Sequence, residues 1–312
     1  MTQHRTSPKS ASAEAVFGSA ARGDADAMSD RDILIVDDDL AVLRNRTRVL
    51  EADGWSVAPY TYMKLEALVR KGALFIQHLK LESNILVDQG GRLARVLTTF
   101  RPRVDYGAEI LENTLLASLA GVVPEGPRGT LFAADVLYVT VRNFGVLSLA
   151  ERGIHAYAFD AVLGALEDER LIAPGGARAL AALRFLKCLY RAGETERGIS
   201  VRKSVDNALA LLPHRFFPTD LLTVQPHEIL TAPLPPEPVT PYLMLRDLER
   251  RLVALQALGQ ADEVDINLTR LARWIANPRA YASVSHRLAP MMRDSILRRI
   301  QSSNLFRFAS GG

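Results

Sequence analysis

The chain has 312 residues, 48% of them hydrophobic and 23% charged, which is enough apolar material for two buried cores and suits a globular protein. A net charge of +3 is too small to make the whole molecule a general binder of nucleic acid. Cys188 is the only cysteine, so neither an internal disulfide nor a cysteine-built metal site is available, and a reducing cytoplasm is the expected setting.

Residues 1–14 read as a disordered leader without the apolar run of a signal peptide. Val16 and Phe17 form a short apolar strand that runs directly into Gly18-Ser19. Ile33 to Val36 is a second strand, apolar throughout. Leu40, Leu43, Thr47 and Leu50 fall on one helix face, with Asp39 as N-cap and Gly54 as stop. Trp55 to Tyr62 is rich in strand formers but holds Pro59, the mark of an edge strand. Helices over Met63–Lys71 and Leu74–Leu81 and a strand at Ile85–Val87 complete an α/β domain of residues 15–90.

The next region, residues 104–230, reads as a helical bundle, with helices over Tyr106–Ala120, Leu131–Arg152, Ala156–Glu169 and Ala177–Arg191. Punctuators such as Pro124, Gly153 and Pro174 separate them. The helix from Leu131 is apolar nearly all round and belongs at the bundle centre. Asp135 and Arg142, seven apart, share a face and are expected to pair. With Asn143 they argue against a membrane span. Residues 231–241 contain five prolines and form an extended linker. A basic helical region, 242–312, follows, with helices over Leu243–Leu258, Val264–Ile275 and Leu288–Ile300. The fold class is therefore α+β.

One segment carries chemistry. Gly18-Ser19 follows a strand, and Asp30 and Asp32 stand at the start of the next, two apart and hence on one side of it. A Gly-Ser turn brings main-chain N–H groups and a hydroxyl close to phosphate oxygens. Two carboxylates on one side suit Mg²⁺ (or Mn²⁺), which neutralises charge developing on a transferring phosphoryl group. The apolar strand behind them holds the carboxylates rigidly.

This combination resembles the minimal nucleotidyltransferase branch of the polymerase-β-like superfamily. Its signature is Gly-Ser, a loop of about this length, Asp-x-Asp and an apolar strand, matched here from Val16 to Asp24 and from Ser29 to Val36. A looser likeness runs through Leu74-Phe75-Ile76-Gln77-His78-Leu79-Lys80-Leu81-Glu82. The resemblance implies a small mixed-sheet nucleotidyltransferase domain followed by a helical bundle and tail. It implies transfer of a nucleoside monophosphate from an NTP, ATP above all, to a hydroxyl on a protein, a tRNA end or a small molecule. It assigns Gly18, Ser19 and Arg22 to the phosphates, and Asp30 and Asp32 to the metal and catalysis. The family's third carboxylate belongs on a later strand, yet residues 56–61 contain no acid. Glu66 and Glu82, with His78 four residues before Glu82, are the accessory candidates. A nucleotide-binding regulator or interaction protein without turnover is the alternative that this gap leaves open.

Three other features are weaker. Arg142-Asn143 resembles the start of a HEPN ribonuclease motif, but the required histidine is missing at its spacing. Asp37-Asp38-Asp39 superficially resembles the acidic strand end of a receiver domain and reads better as a helix N-terminus. Residues 266–312 carry eight arginines from Arg270 to Arg307 with interleaved aromatics, which suits contact with nucleic acid or an acidic partner.

Overall fold

A computed structural model of the chain describes residues 11–194, 199–233, 235 and 240–259, together with positions 269, 291, 294, 295 and 298. The expected leader up to residue 10, five of the eleven linker residues, and all but five positions beyond residue 259, where two helices and the arginine-rich tail are expected, lie outside the described residues. The protein is mixed α+β, and its chain divides into two compact units, one of residues 1–106 and 146–162, the other of 107–145 and 163–312.

The first unit is built on a four-stranded mixed sheet of β1 (Ala13–Phe17), β2 (Asp32–Val36), β3 (Ser56–Tyr60) and β4 (Ser83–Asp88), in the order β3-β2-β1-β4. β1 runs antiparallel to both β2 and β4, while β2 and β3 are parallel. After β1 comes a single turn, α1 (Ser19–Arg22). Then follow α2 (Leu40–Ala52), α3 (Tyr62–Arg70), α4 (Leu74–Glu82) and α5 (Arg92–Thr99). β2 is apolar at every position after Asp32 because both faces of the sheet are covered. Leu34 and Val36 join Leu65, Ile76, Leu79 and Leu97 of α3, α4 and α5 in one core. Ile33 and Ile35 face the other way, against Leu43 and Leu50 of α2.

The strand with Pro59 is an edge strand, as its proline requires, and Asp39 caps α2 by accepting from Ala41 and Val42. The acidic run is a set of turn acceptors. Asp37 Oδ2 takes both the N–H and the hydroxyl of Ser12, and Asp38 takes the N–H of Tyr62. β1 begins at Ala13, earlier than expected. The unit also extends past residue 90, through α5 to residue 106, where Tyr106 donates to Gly72 O at 2.9 Å.

The second unit contains α6 (Gly107–Ala117), most of α7 (Pro127–Ala150) and most of α8 (Phe159–Asp168). It also holds α9 (Gly176–Leu180), α10 (Ala182–Arg191), α11 (Ile199–Leu211), α12 (Pro226–Thr231) and α13 (Pro241–Ala257). It is not purely helical. Val122–Pro124 and Leu222–Val224 form β5 and β6, a short parallel pair. α13 was expected to open a separate region, but it belongs to this unit. α7 is long and apolar enough by composition to cross a bilayer, yet 67% of its apolar window is buried in protein.

The expected Asp135–Arg142 pair is not what forms. Arg142 is only half-buried, whereas Asp135 is fully buried and accepts two bonds from Arg191 (2.8 and 2.6 Å) and one from Arg246 (2.6 Å). Seven residues along one helix put the two side chains two turns apart; Arg191 and Arg246 reach the carboxylate from α10 and α13 instead. Arg246 also donates to Glu249, which accepts from the Tyr190 hydroxyl at 2.7 Å. Burial works to raise the Asp135 pKa, but the two guanidinium groups outweigh it and hold the carboxyl below its ordinary value.

Candidate functional site

β1 ends at Phe17, which lies opposite Asp32 of β2 on one side and Ser83 of β4 on the other. The chain must leave the sheet there without covering Asp32. Gly18 does this at φ 66°, ψ −144°, a region that only glycine enters readily. A Cβ on Gly18 would stand 3.6 Å from Asp32 Oδ2 and 4.0 Å from His78 Nε2, ordinary contact distances, so the backbone angle rather than crowding calls for glycine and Gly18 lies beside both side chains. The Gly18 N–H is bonded to Glu82 O (3.1 Å), pinning the loop to the end of α4. Ser19 begins α1; the Ala21 and Arg22 N–H groups both bond Gly18 O at 3.0 Å, which leaves those of Ser19 and Ala20 at the head of the turn. Its hydroxyl donates to Asp30 O at 3.4 Å, and Asn84 Nδ2 bonds Ala21 O at 3.1 Å.

Five of the expected residues thus meet at one end of the sheet: Gly18, Arg22, Asp32, His78 and Glu82. His78 lies flat against Tyr157 (ring centroids 4.4 Å apart) and edge-on to Phe17, with Nε2 3.2 Å from Glu82 Oε2. Glu82 also takes the Arg22 guanidinium, whose Nε bonds Asp24 at 2.9 Å. Partial burial raises the Glu82 pKa, and the bonds and charges of His78 and Arg22 more than offset it, leaving the carboxyl below its ordinary value of 4.5. Arg22, expected on phosphate, is occupied by two carboxylates.

Two expectations are corrected. Asp30 is exposed and lies before β2, which starts at Asp32, so strand alternation does not align the two side chains. Glu66 does not join the site. It accepts from Arg92 at 2.7 Å, and Arg92 also bonds Asp38, just past the far end of β2. Five strand residues separate the two ends by roughly 16 Å. Sequence reasoning missed Tyr157 and Asn84. Tyr157 comes from a segment that returns to the unit after a long excursion, and no local pattern announces such a return. Asn84 follows α4 by two residues and is legible only once Ser83 is known to pair with Phe17.

Among the described residues no group of three or more His, Cys, Asp or Glu side chains is placed to hold a metal ion. Mg²⁺ often relies on one or two carboxylates, with water and phosphate oxygens completing its shell, and Asp32 at the head of β2 is the carboxylate this sheet end offers to that mode. Compared with protein-family models, curated proteins and solved structures, the chain matches none.

Proposed function

We propose that the first unit is a nucleotidyltransferase that moves a nucleoside monophosphate from an NTP to a hydroxyl acceptor. The observation that carries this reading is the meeting of Gly18, Asp32 and His78 at the sheet end, directly after a strand and at the head of a short helical turn. The Ser19 hydroxyl and the N–H groups opening α1 would receive phosphate oxygens. Asp32, with Asp30, would hold Mg²⁺, which when bound supplies neutralising charge to the triphosphate. Arg22 sits one turn along, where exchange of Asp24 for phosphate would keep its charge paired. Glu82, not Glu66, occupies the neighbourhood in which a third acid is needed, with His78 beside it as the group able to hold a proton.

A second reading, nucleotide binding without turnover, is favoured by one fact: Glu82 is already engaged by Arg22 and His78. Both readings are tested by incubating the full chain with each α-phosphate-labelled NTP and Mg²⁺ or Mn²⁺, offering the protein itself, tRNA and cell lysate as acceptors. Label transferred by the native protein and lost with Asp32→Ala establishes the enzyme. Saturable NTP binding with no transfer in any mixture establishes the regulator. Neither transfer nor binding rejects both.

A further inference from the structure

The first unit carries a second concavity, away from the Gly18 loop. It is an open cavity of about 570 Å³ along α2, beside β3 and the start of α3. Its apolar lining comes from Leu40, Leu43 and Pro59, and Leu40 leaves 57% of its surface to solvent. Arg44 and Arg48, one turn apart on α2, and Lys64 on α3 supply three cations, against one acid, Glu51. No hydrogen bond or ion pair engages the Arg44 or Arg48 side chain among the described residues, unlike the neighbouring Arg46, which is clamped on Glu14 at 2.8 Å through two nitrogens. Lys64 rests over the Tyr60 ring.

We infer that this cavity binds a small organic anion, a phosphate or carboxylate group on an apolar body about the size of one or two rings. The charge complement is the first argument. Two guanidinium groups one helical turn apart on α2 line the same cavity, and guanidinium is the side chain best matched to oxyanions. The floor is the second argument, since an inorganic ion would leave the exposed Leu40 and Pro59 uncovered. The volume lies within the usual range for small-molecule sites. An extended peptide added to the β3 edge is disfavoured because Pro59 has no N–H to pair. This inference does not rest on the nucleotidyltransferase reading.

Titration calorimetry of the full chain with naphthyl phosphate, naphthoate and inorganic phosphate tests it. At least one ring-bearing anion is expected to bind saturably at one site, and inorganic phosphate at least tenfold more weakly. The Arg44→Ala/Arg48→Ala double variant is expected to lose at least tenfold, as is Leu40→Asp. All three side chains are largely exposed, so circular dichroism should be unchanged. Asp32→Ala should bind the ring-bearing anions as the native protein does, separating this cavity from the Gly18 site. Comparison of the phosphate and the carboxylate identifies the preferred head group. Absence of saturable binding, equal binding by the double variant, or inorganic phosphate binding as tightly as the ring-bearing probes would overturn the inference.

Discussion

Glu82 and Asp135 each face two basic side chains, but they differ in their access to water. Glu82 holds Arg22 and His78 with 17% of its side chain exposed, while Asp135 holds Arg191 and Arg246 with none. A buried carboxylate between two guanidinium groups cannot exchange partners without leaving charge in an apolar interior, so its role is to fix α7, α10 and α13. A carboxylate that keeps part of its surface in water is partly screened, and its partners can exchange it for a ligand at lower cost. A similar grouping is therefore locked in one unit and exchangeable in the other.

The comparison breaks most sharply at Asp135. Asp135→Ala leaves two buried guanidinium groups side by side, and a loss of about 3–5 kcal/mol is expected, read as a drop in the denaturant midpoint of the second unit. Gly18→Ala should come next. A side chain at φ 66° and ψ −144° costs about 1–3 kcal/mol, so the melting temperature and, through the strained loop, NTP binding should both fall.

Glu82→Gln should cost under about 1 kcal/mol at neutral pH, because its pair is partly solvated. Its pH dependence sharpens the contrast. The folded-state pKa of Glu82 is lowered, so its contribution is present above the unfolded value near 4.5 and is lost as pH falls through the folded value. The native protein should thus lose more stability than Glu82→Gln across that acidic window, as measured by urea melts at stepped pH. The smallest effect is expected at Glu66→Ala, about 0.5 kcal/mol or less with NTP binding unchanged, since its partner Arg92 serves the opposite end of β2. A large loss of binding there would overturn the placement of the site.

Much of the first unit was legible because its signals are local. The Ile33–Val36 run, the Asp39 cap and the Pro59 edge each state their role within a few residues. The early start of β1 was hidden because Ala11, Ala13 and Ala15, buried through close packing, have little strand preference of their own. β5 and β6 are three residues each, too short for alternation to register. Within the site, spacing put Gly18 just after one strand and Asp32 at the start of the next, as the chain folds, but set Asp30 inside a strand that begins two residues later. Choosing Glu82 over Glu66 required knowing which end of the sheet each helix reaches. The pairing of Asp135 with Arg191 and Arg246 depends on helices distant in sequence, and the nearer Arg142 was the natural but mistaken choice.

The return of residues 146–162 to the first unit carries a consequence for how the chain is made. As the protein leaves the ribosome, the sheet and its helices are complete in sequence by residue 106, yet Tyr157, the ring that stacks on His78, is synthesised only after residues 107–145. At about 5–20 residues per second, that delay lasts a few seconds, during which the imidazole lacks its aromatic partner. Closure of the site is thus a late, long-range event in biogenesis, and a nascent chain released before residue 157 would present the Gly18 loop without the stacked His78 beside it.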